Sequence, residues 1–213
     1  MQRLSKIIQL SEPRPFQSTS VFEALKTRKT CREISKTSIP QDLLSTLLWA
    51  GFGVNRAEGP FGQPGRTAAS ASNSQEIDLY VALEDGAYFY DGLKHQLQLV
   101  AEGDHRKLCM TPRQGVLPDA PVHLIYVADL DKLTQTKGFE EPGLHDTEVQ
   151  KSYYFVDSGL IAGNVYLFSS ANDLACWFHN CDKEGLAKVL NLRSGVQLPL
   201  FAQLVGYHVD PKL

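Results

Sequence analysis

The sequence has no Cys-x-x-Cys pair, and its histidines, at 95, 105, 123, 145, 179 and 208, show no metal-ligand spacing. Both facts argue against a zinc site. The histidines read as exposed. Four cysteines stand at 31, 109, 176 and 181 and read as reduced thiols in or near a core. No stretch approaches the ~20 apolar residues that span a bilayer. The N-terminus, Met1-Gln2-Arg3-Leu4-Ser5-Lys6-Ile7-Ile8, holds no apolar run of signal-segment length. A cytoplasmic location is the expectation. Positive charge is not in surplus: 21 Lys and Arg meet 24 Asp and Glu, a net of -3. That disfavours nucleic acid and anionic membrane surfaces as partners. No nucleophile triad is visible.

What is present is ordinary globular material, 213 residues with 43% hydrophobic and 21% charged. This length buries a substantial core as one domain. Residues 1–19 are polar and carry Pro13 and Pro15, so they read as an extended arm before a single domain over 20–213. Ser20, with Glu23 three residues on, forms a capping box for a helix ending near Lys29. Pro40 opens a second helix, where a missing N–H costs little. Gly51 to about Ser74 is a long, glycine-rich connection, too long to be idle in a compact domain. Residues 77–83 alternate like a strand, 84–86 turn, and 87–91 return as a hairpin. Val122 to Ala128 is nearly continuous in apolar residues and reads as a central strand. Residues 146–171 predict one long helix, apolar nearly all round, which is buried in a core or a subunit interface. Strands at 174–178 and 200–207, with a helix at 183–190 between them, complete an α+β pattern: a mostly antiparallel sheet with packed helices.

Three constellations can carry chemistry. Arg28-Lys29-Thr30-Cys31-Arg32 places three cations and a hydroxyl within five residues, which suits a phosphate. The same cluster would also complement a helix C-terminus. Ala69-Ser70-Ala71-Ser72-Asn73-Ser74-Gln75 offers small side chains and amides, which suit a heterocycle edge or simply a turn with local bonds. The third is Cys176-Trp177 beside Gln203-Leu204-Val205-Gly206-Tyr207; the indole there reads as core or as a ligand wall.

In order along the chain stand the basic 28–32 cluster, Ile39-Pro40 with Leu47-Leu48-Trp49-Ala50-Gly51-Phe52-Gly53-Val54-Asn55-Arg56, and the run from Gly65 through Ser70, Ser72, Asn73 and Gln75 to Val81. Asp157-Ser158-Gly159, Asn164-Val165-Tyr166-Leu167-Phe168 and Val205-Gly206-Tyr207 follow. Over roughly residues 20–208 this resembles the nitroreductase family of FMN enzymes. It is most similar to the small branch that includes dehydrogenases of thiazoline- and oxazoline-containing peptides. Ala69, Gly163 and His208 depart from the family's usual Pro, Gln and Pro.

The resemblance implies an α+β homodimer with intertwined subunits and two FMN sites at the interface. Arg28, Lys29 and Thr30 would then hold the FMN phosphate, and Arg32 would approach the flavin N1/C2=O end. Ser70, Ser72 and Asn73 would line the ring or ribityl chain from the neighbouring subunit. Cys176 and Trp177 would present backbone near flavin N5, with Lys212 a further phosphate ligand. NADH or NADPH would be the electron donor, and a nitroaromatic, quinone or similar small molecule the acceptor. No catalytic acid or nucleophile is required, since the flavin performs the redox step. His179, just past Trp177, reads as a surface residue, with a place facing substrate as the alternative. The alternatives are a flavin-dependent dehydrogenase oxidising a ring or C–C bond, a non-catalytic flavin-binding or storage protein, and a chain that kept the fold without the cofactor.

Overall fold

The computed structural model describes residues 6–114, 119–137 and 146–209. Nine strands and five α-helices are assigned among them. In chain order they are β1 (Ile7–Gln9), α1 (Val21–Thr27), α2 (Gln41–Phe52), β2 (Val54–Arg56), β3 (Gly65–Arg66), β4 (Ile77–Leu83) and β5 (Gly86–Asp91). Then come β6 (Gln96–Glu102), β7 (Val122–Asp129), α3 (Leu130–Thr134), α4 (Thr147–Ala171), β8 (Leu174–His179), α5 (Lys183–Val189) and β9 (Gln197–Tyr207). Seven strands form one sheet in the order β1-β6-β5-β4-β7-β9-β8, while β2 and β3 make a separate small ribbon. Every pairing is antiparallel. The fold is α+β, as the sequence pattern implies.

The alternation of side chains across the sheet divides the core in two. Leu79 and Val81 of β4 and Leu124 and Tyr126 of β7 point to α2 and α4, where they meet Leu47, Leu48, Ile161 and Val165. The intervening Tyr80, Ile125, Val127 and Ala202 point the other way, to Leu186 of α5 and Cys109. The central place expected for 122–128 holds: every residue of β7 is buried.

The ends of the helices obey local chemistry. The Ser20 hydroxyl accepts the Glu23 N–H at 3.2 Å and caps α1. The Asp146 carboxylate accepts from the Glu148 and Val149 amides at 2.8 and 3.2 Å and starts α4. Two histidines expected at the surface are instead inside. His123 is fully buried on β7 and His179 nearly so on β8, because each sits within a strand whose covered face claims it. Burial drives the His123 imidazole down to about 3, so it stays neutral. The cysteines are free, with three of the four buried.

Candidate functional site

α4 is the axis of the site. Its inward stripe is Tyr154, Asp157, Ser158, Ile161, Val165 and Ser169. Two of the three sequence constellations attach to it at different heights.

The basic cluster follows α1 directly, since the Arg28 amide still donates to the Ala24 carbonyl at 2.9 Å. The chain then runs along the outer edge of β8. The Cys31 N–H donates to the Cys176 carbonyl at 2.9 Å, and the Phe178 N–H donates to the Tyr166 hydroxyl at 2.9 Å. In an edge strand alternate residues turn their backbone outward. Cys176 and Phe178 therefore turn their backbone outward, and the Trp177 backbone faces β9, leaving its indole as the part of that residue that meets Arg32.

Tyr166 organises the cluster. Its hydroxyl lies 3.1 Å from Thr30 Oγ1, and the Arg28 guanidinium lies over its ring, 5.4 Å from the centroid. The Arg32 guanidinium lies over the Trp177 ring at 5.6 Å. Cation–π contacts of this kind orient a charge without neutralising it. Among the described residues, Arg28, Lys29 and Arg32 make no ion pair. Two adjoining hollows, about 300 and 280 Å³, open beside Lys29, Thr30 and Arg32, and Asp173 and Glu33 also line them. Three cations and a hydroxyl fit a phosphate. The structure thus brings Arg28, Lys29, Thr30, Arg32, Cys176 and Trp177 together, and adds Tyr166, which stood in a quoted motif but was not singled out. Lys212 lies outside the described residues.

Ser70, Ser72 and Asn73 are elsewhere. Their short turn is fixed to α4 by the Ala71 N–H, which donates to Asp157 Oδ2 at 2.9 Å. Asp157 and Tyr166 are nine residues apart on one helix, about 13 Å at the helical rise. The turn is over-determined. Ser70 Oγ accepts the Gln75 N–H at 3.0 Å, and the Asn73 amide donates to the carbonyls of Pro60, Gln63 and Pro64 at 3.2–3.3 Å. Ser72, Asn73 and Gln75 all have positive φ, at 48, 56 and 51°. Left-handed backbone in non-glycine residues persists only where the surroundings hold it, and it concentrates at functional sites.

Behind the turn lies a carboxyl pair that the sequence did not flag. Glu76 is fully buried, and its Oε2 accepts the Ser74 hydroxyl at 2.6 Å. Its Oε1 has no N–H or O–H donor and faces the Asp157 carboxyl. Burial first, and the Asp157 charge second, push Glu76 up to about 7. Glu76 thus holds its proton closer to neutral pH than an ordinary carboxyl does, with the Asp157 carboxyl as its charged neighbour. A Glu directly before the largely apolar strand β4 was the available signal.

His179 is stacked on Trp177, with ring centroids 4.5 Å apart, and its Nδ1 lies 2.7 Å from the Asn180 carbonyl. Burial lowers its affinity for a proton. It lies under the indole, inside the protein.

The Nitroreductase family pattern matches residues 25–207. A solved structure from Ralstonia eutropha JMP134, provisionally named a nitroreductase, is 30% identical. The match covers 96% of this chain and 90% of that one, with a TM-score of 0.83. Two more distant structures share the fold. One is a chain of the E. coli microcin synthetase McbBCD complex with truncated pro-MccB17 bound, at 16% identity, 92% and 77% coverage and TM-score 0.67. The other is B. megaterium NfrA2, at 15% identity, 90% and 67% coverage and TM-score 0.61. No curated protein matches the sequence. The chain belongs to the nitroreductase family and is an oxidoreductase of the flavin-using kind.

Proposed function

We propose that the protein is an FMN-dependent oxidoreductase that takes electrons from NADH or NADPH and reduces nitroaromatic, quinone or similar acceptors by hydride transfer through flavin N5. The observation that carries this is the clustering of Arg28 over Tyr166, Arg32 over Trp177 and Lys29 between them in sequence, none in an ion pair among the described residues. Arg28, Lys29 and Thr30 would hold the FMN phosphate, with Lys212 a further ligand. Arg32 would sit at the N1/C2=O end, where a cation stabilises the charge of the reduced ring. The Cys176 amide, on the outward edge of β8, would be the backbone donor near N5. The bound flavin would supply the two-electron redox chemistry. The protein's own residues bind it, orient it and set the charge around it.

The same reading makes the working form a homodimer. In one chain the basic cluster and the 70–73 turn stand too far apart along α4 to share a phosphate's immediate surroundings. A second copy would bring its Ser70, Ser72 and Asn73 to the first copy's cations. α4 has a face ready for this. Phe155, Val156 and Leu160 are exposed apolar residues on it, and at Gly159 and Gly163 an added Cβ would meet nothing within 4 Å. Val21, Phe22 and Leu25 of α1 are exposed as well. An apolar stripe of this kind on a long helix marks an association surface.

Two measurements test the reading. After FMN addition and desalting, the protein should keep flavin absorbance and bleach anaerobically with NADH or NADPH. Retained bands that neither nucleotide bleaches would favour flavin storage or another donor, and no retained flavin in folded protein would refute FMN use. Light scattering should give twice the 23.7 kDa chain mass. Leu160→Asp, which buries a charge in the proposed interface, should return a monomer and lower flavin retention by at least tenfold. A monomeric wild type would remove the dimer.

A further inference from the structure

A third cavity, about 610 Å³, lies beside the 70–75 turn, a volume within the usual range for small-molecule sites. Its wall carries Arg66, Lys132 and Lys137, and among the described residues no Asp or Glu lines it. Arg66 is already committed, donating to Gln75 Oε1 at 2.6 Å and to the Phe52 carbonyl at 3.0 Å. Lys132 pairs with Asp78. Lys137 is exposed and, among the described residues, makes no ion pair.

The one aromatic in this wall among the described residues is Phe61. It is half-exposed and holds φ at +59°, a conformation that costs a bulky non-glycine residue about 1 kcal/mol or more. The segment around it is locked. Besides the three Asn73 bonds, Gln75 Nε2 donates to the Pro64 carbonyl at 2.7 Å, and a Cβ at Gly59 would strike the Gln63 carbonyl oxygen at 2.5 Å. A strained loop is therefore held so that an apolar ring stands in water on the same wall as a cation that has no ion pair among the described residues. A flat anionic ligand would cover the ring and answer the charge.

We propose that this cleft binds a planar ring carrying an anionic group, with the ring against Phe61 and the anion at Lys137. The proposal rests on the oxidoreductase reading, in which such a molecule is one of the two that exchange at the flavin. The chemistry is shared by the nucleotide end of the electron donor and by an acidic aromatic acceptor.

The test is calorimetric titration of the full chain, reconstituted with FMN, using 2-naphthalenesulfonate, neutral 2-naphthol and 5′-AMP as probes. Phe61→Ala should weaken both naphthalenes about tenfold, and Phe61→Trp should restore them. Lys137→Gln should weaken the sulfonate about fivefold and leave the naphthol unchanged. FMN retention should not change in any variant. Rapid mixing then separates the sources. Slower reduction by NAD(P)H, with weaker 5′-AMP binding, assigns the cleft to the donor, and slower reoxidation by a naphthoquinone sulfonate assigns it to the acceptor. Wild-type probe affinities in both variants, or lost binding with both half-reactions unchanged, would overturn the proposal. Flavin loss in Phe61→Ala with an intact circular dichroism spectrum would give the cleft to the flavin and overturn it too. If the wild type takes up no flavin, the oxidoreductase reading fails by itself, and the probe titration still decides what the cleft binds.

Discussion

Arg28→Ala should weaken FMN binding by about 10- to 100-fold while leaving the melting temperature nearly unchanged. A charge-assisted hydrogen bond contributes roughly 1.5–3 kcal/mol, and each 1.4 kcal/mol is a factor of ten in affinity. Arg28 is positioned to deliver that contribution: its guanidinium lies over the Tyr166 ring, with no carboxylate among the described residues to share it. Its removal takes nothing from the core, since the side chain is exposed, and surface changes of this kind stay within about 0.5 kcal/mol of stability. Arg28→Lys should recover part of the affinity, keeping the charge but losing the forked geometry. Tyr166→Phe should weaken binding by a smaller factor. It deletes the hydroxyl that touches Thr30 Oγ1 and receives the Phe178 N–H, but keeps the ring beneath Arg28. Fluorescence titration of FMN reads all three. An unchanged affinity in Arg28→Ala would move the phosphate away from this cluster.

The parts of the fold that were legible in the sequence are those where one local rule dominates. The Ser20–Glu23 signature caps α1 as expected, although the helix stops at Thr27, two residues short of Lys29. The long helix at 147–171 lies within one residue of its expected start, because Asp146 is an explicit cap. The 77–91 hairpin is β4 and β5. What escaped is decided by pairing between distant segments. β1 lies inside the stretch read as an arm and exists because Ile7–Gln9 finds β6. β6 alternates Gln96, Leu97, Gln98 and Leu99 before the pattern breaks at Val100, and its place depends on β5. β9 begins three residues early and passes through Pro199, which the sheet tolerates at a register shift opposite Tyr126 and Val127. The glycine-rich connection after α2 contains the small β2–β3 ribbon. At the site the pattern is the same. The basic cluster was visible as composition, but the rings that hold it, Tyr166 and Trp177, come from 134 and 145 residues further along. Buried polar groups at or just before strands, His123 in β7 and Glu76 ahead of β4, give only a weak signal in sequence, since nothing local says which face is covered.

Glu76 leads to the second large effect: Glu76→Gln should stabilise the protein at pH 8 by about 3 kcal/mol and do little at pH 4. The sign follows from where the proton sits. A carboxyl ordinarily near 4.5 is raised to about 7 in the folded state, so between those values the native protein holds a proton that the unfolded chain has released. Stability therefore falls as pH rises from about 4.5 to about 7 and is then level with respect to this group. The gap of roughly 2.5 in pKa, at about 1.4 kcal/mol each, gives the magnitude. Glutamine keeps nearly the same shape. Its amide can donate to the Asp157 carboxylate, and its carbonyl can still accept the Ser74 hydroxyl. The Ala71–Asp157 anchor would then survive at alkaline pH without the Glu76 proton. Urea midpoints of wild type and variant at pH 4, 6 and 8 measure this directly. Parallel pH profiles for the two proteins would show that the carboxyl pair titrates normally. A gap that opens between pH 5 and 7 would instead place the proton between α4 and the turn that carries Ser70, Ser72 and Asn73. In that case, flavin retention in the wild type should decline over the same interval, because the turn loosens as its anchor loses the proton, and the glutamine variant should hold flavin evenly across it.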